Sequence, residues 1–210
     1  MVRLRKAGMQ DLGAIVSIKE ALRLLPGQAA GRGGFLLGCS PERYAQLIER
    51  ANVLLLEEAG EAFGFAVTLP DPLLRTSELW QRRAAIQWTT GEGEPPAGGR
   101  VAYFDQLALR PGASRRHAPA LAFAAVQELA VAGHGHLYAT IIDAPVRNEA
   151  ALPLMRVLRT RVVGMVEEHY PEAGRVVSEL HYVALGHAMA ALEKTALGLR
   201  TAGATTRLAA

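Results

Sequence analysis

Short apolar runs separated by turn-forming residues alternate along this chain with stretches whose apolar residues recur every three or four positions. The two periods predict strands and helices respectively. Val2–Ala7 reads as a first strand. Asp11 is placed to start a helix, with Leu12, Ile15, Val16, Lys19 and Leu22 following at helical spacing. The Gly-rich stretch Pro26–Gly38 breaks the pattern. Ser40-Pro41-Glu42-Arg43 then offers an N-cap oxygen and a proline at the first helical position, where its missing N–H costs least. The helix so started carries Tyr44, Leu47 and Ile48. Apolar runs at Val53–Leu56 and Ala62–Leu69 flank Glu57-Glu58-Ala59-Gly60-Glu61 and predict an antiparallel hairpin.

Pro70-Asp71-Pro72 ends that hairpin, and a helical piece is expected around Ser77–Trp88. Thr89–Gly99, rich in Gly and Pro, is expected to be an irregular, mobile loop. Val101–Leu109 is a strand that puts Val101, Tyr103, Asp105, Leu107 and Leu109 on one face unless a bulge intervenes. Pro119–Ala132, apolar on nearly all sides, suits a helix buried against a sheet. A strand at His136–Ile142 and a helix at Asn148–Leu158 follow. Strands at Val162–His169 and Val176–Leu185 close around the turn Pro171-Glu172-Ala173-Gly174. From Gly186, Met189, Leu192, Ala196 and Leu199 form one apolar helical stripe. The order βαα–ββ–insert–β–α–β–α–ββ predicts an α/β fold with a mixed, mostly antiparallel sheet and one parallel crossover, and excludes a Rossmann fold.

Composition narrows the classes. The chain has 210 residues, half of them hydrophobic, and a net charge of +3, which suits one domain with a well-filled core. Lys and Arg are dispersed, which argues against nucleic-acid binding but is compatible with a basic pocket for a phosphorylated ligand. Cys39 is the single cysteine, so no intrachain disulfide can form. No apolar run is long enough for a membrane span or a signal core, and a cytoplasmic protein is expected. His134-Gly135-His136 lacks further ligands at metal-site spacing, and Gly31-Arg32-Gly33-Gly34 lacks the Lys-Ser/Thr of a phosphate loop, so no metal is expected.

The segment Tyr103–Ala120 is the most informative. A strand feeds a turn, then Arg115, Arg116 and His117, then the first turn of a buried helix. Exposed N–H groups and the positive end of the helix dipole favour phosphate at such a place. Arg115-Arg116-His117-Ala118-Pro119-Ala120 resembles the Arg/Gln-x-x-Gly-x-Gly/Ala loop of the GNAT superfamily of N-acyltransferases. Asp105-Gln106-Leu107-Ala108-Leu109-Arg110-Pro111 resembles that family's fourth strand, and Asn148–Leu158 its Asn-x-x-Ala-x-x-Phe-Tyr motif. Two positions depart: Ala118 stands where the family usually has Gly, and Met155 stands where it has the tyrosine that protonates the leaving thiolate.

The resemblance implies a domain over residues 1–185, with an insertion at 70–100 and a helical tail at 186–210. It implies acetyl-CoA as cosubstrate, its pantetheine arm along Leu107, Ala108 and Leu109. Arg115, Arg116, His117, Ala118 and Ala120 would surround the phosphates, and Asn148 would lie near the pantetheine or cap its own helix. Asp105 would take the proton of an acceptor amine, or hold it as the ammonium, with Tyr103 a candidate donor. The acceptor would be a small-molecule or protein amine, bound among Pro26–Gly38, Pro70–Arg100 and the late hairpin. Glu167, Glu168 and His169, on a late strand, would either touch the acceptor or, as the preferred reading, be solvated strand residues. The long 70–100 stretch would cover that cleft or make a subunit contact, as in a homodimer. The alternative is a GNAT-fold module that binds acyl-CoA without catalysis, which the two departures favour.

Overall fold

The computed structural model describes residues 1–23, 39–89, 93–170, 174–201 and 207–208, with side chains described through Thr195. The stretch Pro26–Gly38, the turn residues Pro171-Glu172-Ala173 and part of the 89–99 loop lie outside the described residues. In chain order the elements are β1 (Val2–Lys6), α1 (Leu12–Ala21), α2 (Pro41–Arg50), β2 (Asn52–Glu58), β3 (Glu61–Leu69), α3 (Asp71–Arg75), α4 (Glu78–Gln81) and β4 (Gln87–Trp88). They continue as β5 (Val101–Leu109), α5 (Ala118–Val131), β6 (His136–Ala144), α6 (Leu152–Leu158), β7 (Arg161–Tyr170), β8 (Gly174–Ala184), α7 (Leu185–Thr201) and β9 (Arg207–Leu208).

Local chemistry explains most boundaries. Asp11 accepts from the Gly8 N–H at 2.9 Å and from Arg5 at 2.7 and 2.8 Å, fixing the entry to α1. Ser40 caps α2 by accepting from the Arg43 N–H at 3.2 Å. The β2–β3 turn is built on Ala59 and Gly60 at φ of 51° and 85°, the paired positive angles that twist a two-residue hairpin correctly. Two expectations are corrected. The helical piece expected around Ser77–Trp88 is the short α4 and a 3-10 turn at Arg82–Ala85, followed by β4 and preceded by a further helix, α3; Ser77 caps α4, and Pro72 sits in the first turn of α3 where proline is tolerated. Helix α6 starts at Leu152, not Asn148, because residues 149–151 form turns and put Pro153 in its first turn.

Among the described residues the strands form one sheet in the order β4-β7-β8-β6-β5-β3-β2-β1-β9. The inner pair β5–β6 is parallel and the edge strand β9 runs parallel to β1; the other pairings are antiparallel. One face packs on α5, α6 and α7, with Phe104, Leu121, Ala125, Leu137, Met155, Leu158, Leu185 and Leu192 at its core. The other packs on α1 and α2 through Ile15, Ile18, Tyr44, Leu47, Phe65, Val67, Tyr103 and Tyr138.

Two irregularities of this sheet position the site. The parallel pair β5–β6 is joined only at Val101–His136, Ala102–Leu137 and Tyr103–Tyr138. Beyond Tyr103, β5 keeps only β3 as neighbour, so a cleft opens between the two central strands. The register of β5 on β3 also slips, from Thr68–Phe104 to Val67–Gln106, leaving Asp105 in a bulge. The expected single face is therefore split. Val101 and Tyr103 join the α1–α2 side, whereas Leu107 and Leu109 pack toward α5.

Candidate functional site

The bulge places Asp105 and Gln106 where the cleft opens. Tyr44 of α2 donates its hydroxyl to Gln106 Oε1 at 2.8 Å, and Gln106 Nε2 reaches Cys39 Sγ at 3.0 Å and Asp105 Oδ2 at 3.2 Å. This network fixes the Asp105 carboxyl. Burial pushes its pKa up to about 6; Arg43 and the Gln106 hydrogen bond act against that rise, and Glu168 adds to it. Burial likewise pushes the Cys39 thiol up to about 11, so it is a neutral thiol at physiological pH.

Hydroxyls and a second carboxylate share this side of the sheet. The Tyr103 hydroxyl pairs with Thr140 Oγ1 of β6, just beyond where β5 and β6 part. Burial, followed by the charge of Asp105, holds the Tyr103 phenol well above its ordinary range, so it stays protonated. On β7, Tyr170 donates to Glu168 Oε1 at 3.0 Å, and Ser178 of β8 donates to Glu168 Oε2 at 3.2 Å. Tyr170 is also held protonated, by burial first and then by Glu168. Glu168 is buried, whereas Glu167 is exposed and paired with Arg175 at 2.6 Å. Reading this strand as solvated missed Glu168; the period-two alternation of β7 against the expected face was the signal that could have found it.

The basic loop is ordered by its own backbone. Gly112 adopts φ 87° at the turn, and Arg115–His117 form a 3-10 turn leading into α5. The N–H groups of Ala113, His117 and Ala118 bond to Arg110, Ser114 and Arg115 carbonyls. Those of Ser114, Arg115 and Arg116 bond to no described backbone carbonyl, and the Arg115 and Arg116 side chains are exposed beside them. Ala118 has φ −60° and ψ −44°, ordinary helical values, so the conformational freedom of glycine is not needed there. Pro119 is the second residue of α5, one later than its sequence position suggests. His117 is buried edge-on to Phe63 at 5.6 Å, and its Nε2 accepts from Arg116 Nε at 3.4 Å. Its ring therefore supports the loop from below. Ala120 is half-buried in the first turn of α5.

Leu107, Ala108 and Leu109 lie along the part of β5 that β6 has left. Asn148 follows β6, its N–H bonded to the Ile142 carbonyl at 2.8 Å. Its side chain does not cap α6, whose N-cap is Ala151, and its buried Oδ1 has no partner among the described residues. Met155 is buried in the core against α5 and α7 and supplies no hydroxyl. His134 is a structural bridge, its Nε2 accepting from the Asp71 N–H at 3.0 Å. His136 stacks on Tyr182. Among the described residues no group of three or more His, Cys, Asp or Glu side chains is placed to hold a metal, and no helix is long and apolar enough to cross a membrane.

A mixed sheet whose two central parallel strands part beside a helix N-terminus is the fold of the GNAT N-acetyltransferases. No family model matches the sequence, and no curated protein matches it. Solved structures do. The chain is similar to Arabidopsis thaliana NAA60 in complex with acetyl-CoA, at 16% identity and TM-score 0.62, covering 89% of this chain and 99% of that one. It is similar to the ribosomal-protein-S18-alanine N-acetyltransferase from Escherichia coli, at 18% identity and TM-score 0.58, covering 88% and 94%. An N-acetyltransferase from Staphylococcus aureus Mu50 aligns at 16% identity and TM-score 0.57, covering 88% and 99%. At these identities the likeness establishes the fold.

Proposed function

We propose that this protein is an acetyl-CoA-dependent N-acyltransferase that acts on a primary amine. The observation carrying the reading is the cleft between β5 and β6, with an open anion site at one end and a base of raised pKa at the other. Asp105 and Arg110 are five residues apart on an extended strand, about 17 Å at about 3.3 Å per residue. That span suits a pantetheine arm lying between a phosphate group at the loop and a thioester beside Asp105.

The residues present fit the cosubstrate. The free N–H groups of Ser114–Arg116, the Arg115 and Arg116 guanidiniums and the start of α5 would hold its phosphates. Leu107–Leu109 would line the arm, with Ala118 and Ala120 giving the close approach and Asn148 Oδ1 accepting an amide N–H. Bound there, acetyl-CoA supplies a thioester carbonyl. Asp105, ionised above about pH 6, takes the proton of the acceptor ammonium at Oδ and frees its lone pair. The Tyr103 and Thr140 hydroxyls at the strand parting supply the proton donor that Met155 does not. The described parts of 70–100 would form one wall of the acceptor side, a reading supported by the pairing of β4 with β7 and by the Tyr138 hydroxyl donating to the Gly93 carbonyl at 3.0 Å. The test is thiol release from acetyl-CoA in the presence of an amine panel. Release that depends on the amine and rises with pH through about 6 supports the reading.

The burial of Met155 favours a second reading, a GNAT-fold module that binds acyl-CoA without transferring the acyl group. Binding of acetyl-CoA with no thiol release across the panel is what that reading predicts.

A further inference from the structure

A cavity of about 240 Å³ opens between the last turns of α2 and α5 and the ends of β1 and β3. Leu129 on its wall lies about three turns along α5 from Ala118 and the basic loop, about 17 Å at about 1.5 Å per residue. The transfer chemistry does not use it. At about 30 Å³ per water it has room for about eight waters, which suits a molecule of amino-acid size and not coenzyme A. Most of its polar side-chain groups are already partnered. Lys6 pairs with Glu128 at 2.8 Å. His134 meets the Leu129 carbonyl through Nδ1 and the Asp71 N–H through Nε2. Asn52 Nδ2 donates to Thr68 Oγ1 at 3.2 Å and to the Ala125 carbonyl at 3.5 Å. A carbonyl can only accept, so this contact fixes which end of the amide is Oδ1. That oxygen is buried with no partner among the described residues, and a buried acceptor without a donor is costly. The Arg50 guanidinium, exposed at the rim, forms no ion pair among those residues. Ala51 and Ala132, the C-caps of α2 and α5, also line the cavity, and helix C-termini favour positive charge.

We propose that this cavity binds a free aliphatic α-amino acid, at a site separate from the transfer cleft. The ammonium group donates to Asn52 Oδ1 beside the two helix ends, and the carboxylate pairs with Arg50. A branched apolar side chain packs on Ile48, Val53 and Leu129, which form the apolar wall. The site stands independently of the transfer reading.

Calorimetric titration of the full chain with L-valine at low salt tests this, beside L-valinamide, which lacks the carboxylate, and isovalerate, which lacks the amine. L-Valine is expected to bind saturably at millimolar concentration or below, and each of the other two several-fold more weakly. Arg50→Ala should weaken L-valine several-fold, as an exposed pairing does. Asn52→Leu should weaken it about tenfold, the scale of one charge-assisted hydrogen bond. Arg156→Ala, exposed on α6, should leave it unchanged. Should Asn52→Leu fail to fold, the surface variant Arg50→Ala carries the test. Asp105→Asn and saturating coenzyme A should leave L-valine affinity unaltered, which separates this cavity from the cleft. No saturable binding, equal binding of the three probes, affinity unaltered in Arg50→Ala or in a folded Asn52→Leu, or affinity lost in Asp105→Asn overturns the proposal. Failure of acetyl-CoA to bind would instead overturn the transfer reading and leave this site standing.

Discussion

Asp105 sits in its place because β5 slips by one residue against β3. Without the bulge it would follow Tyr103 in a regular alternation; with it, Asp105 and Gln106 adjoin each other and share the Tyr44–Cys39 network. Removing its charge has two expected effects of opposite sign. Asp105→Asn should cut the transfer rate by roughly a hundredfold or more, the scale of a positioned general base. Because burial raises the folded pKa to about 6, above the ordinary aspartate value, the folded state holds the proton longer than the unfolded state. Stability contributed by this group is therefore present at low pH and lost as pH rises between about 4 and about 6. Asp105→Asn should remove that loss, giving a thermal midpoint at pH 7 no lower than the wild type's. A midpoint several degrees lower would show that the carboxylate is stabilising and contradict the assigned cause of the shift. The strand that carries Asp105 was legible from its alternation. The network was not, because the bulge and Cys39–Gln106, separated by 67 positions, arise from tertiary pairing.

At the scale of elements, the Arg110–Ala120 loop was readable because local chemistry sets it: Gly112 for the positive φ, proline early in the helix, arginines just before it. What could not be read was which side chains point outward. Arg115 and Arg116 do, whereas His117 turns in against Phe63. Replacing both arginines by alanine should weaken acetyl-CoA binding by about tenfold at low salt and less at high salt, since exposed charges are screened. Calorimetric titration at two ionic strengths checks this. The stretch 70–100 was legible only as a break in pattern, because its short helices and the two-residue β4 are held by tertiary contacts. A Cβ at Gly164 would lie 2.9 Å from Ile86 Cγ2 and 3.0 Å from the Gln87 carbonyl. Gly164→Ala should therefore loosen β4 from β7 and speed proteolysis within 71–99. An unchanged cleavage rate would contradict the docking of this segment through β4.

Over the whole molecule, the order of elements along the chain and the mixed sheet followed from periodicity, whereas the order of strands across the sheet and the parting of β5 from β6 left no local mark. It is a property of how two central strands pair, over three residues and no further. The chain after Ala184 packs as α7 on α5 and α6 through Leu185, Ala188 and Leu192. We propose that this tail is structural. Leu192, fully buried, should cost about 2–5 kcal/mol when changed to alanine, measured by denaturant unfolding, with little change in acetyl-CoA affinity. Acetyl-CoA binding is tested most directly by thermal unfolding of the full chain with and without millimolar cosubstrate. A ligand at one hundred times its Kd adds about 2.7 kcal/mol to a native state that alone binds it. Binding at the Arg115–Arg116 loop should raise the midpoint by several degrees in the wild type and by much less in the Arg115→Ala, Arg116→Ala variant. An unmoved midpoint in the wild type would contradict it.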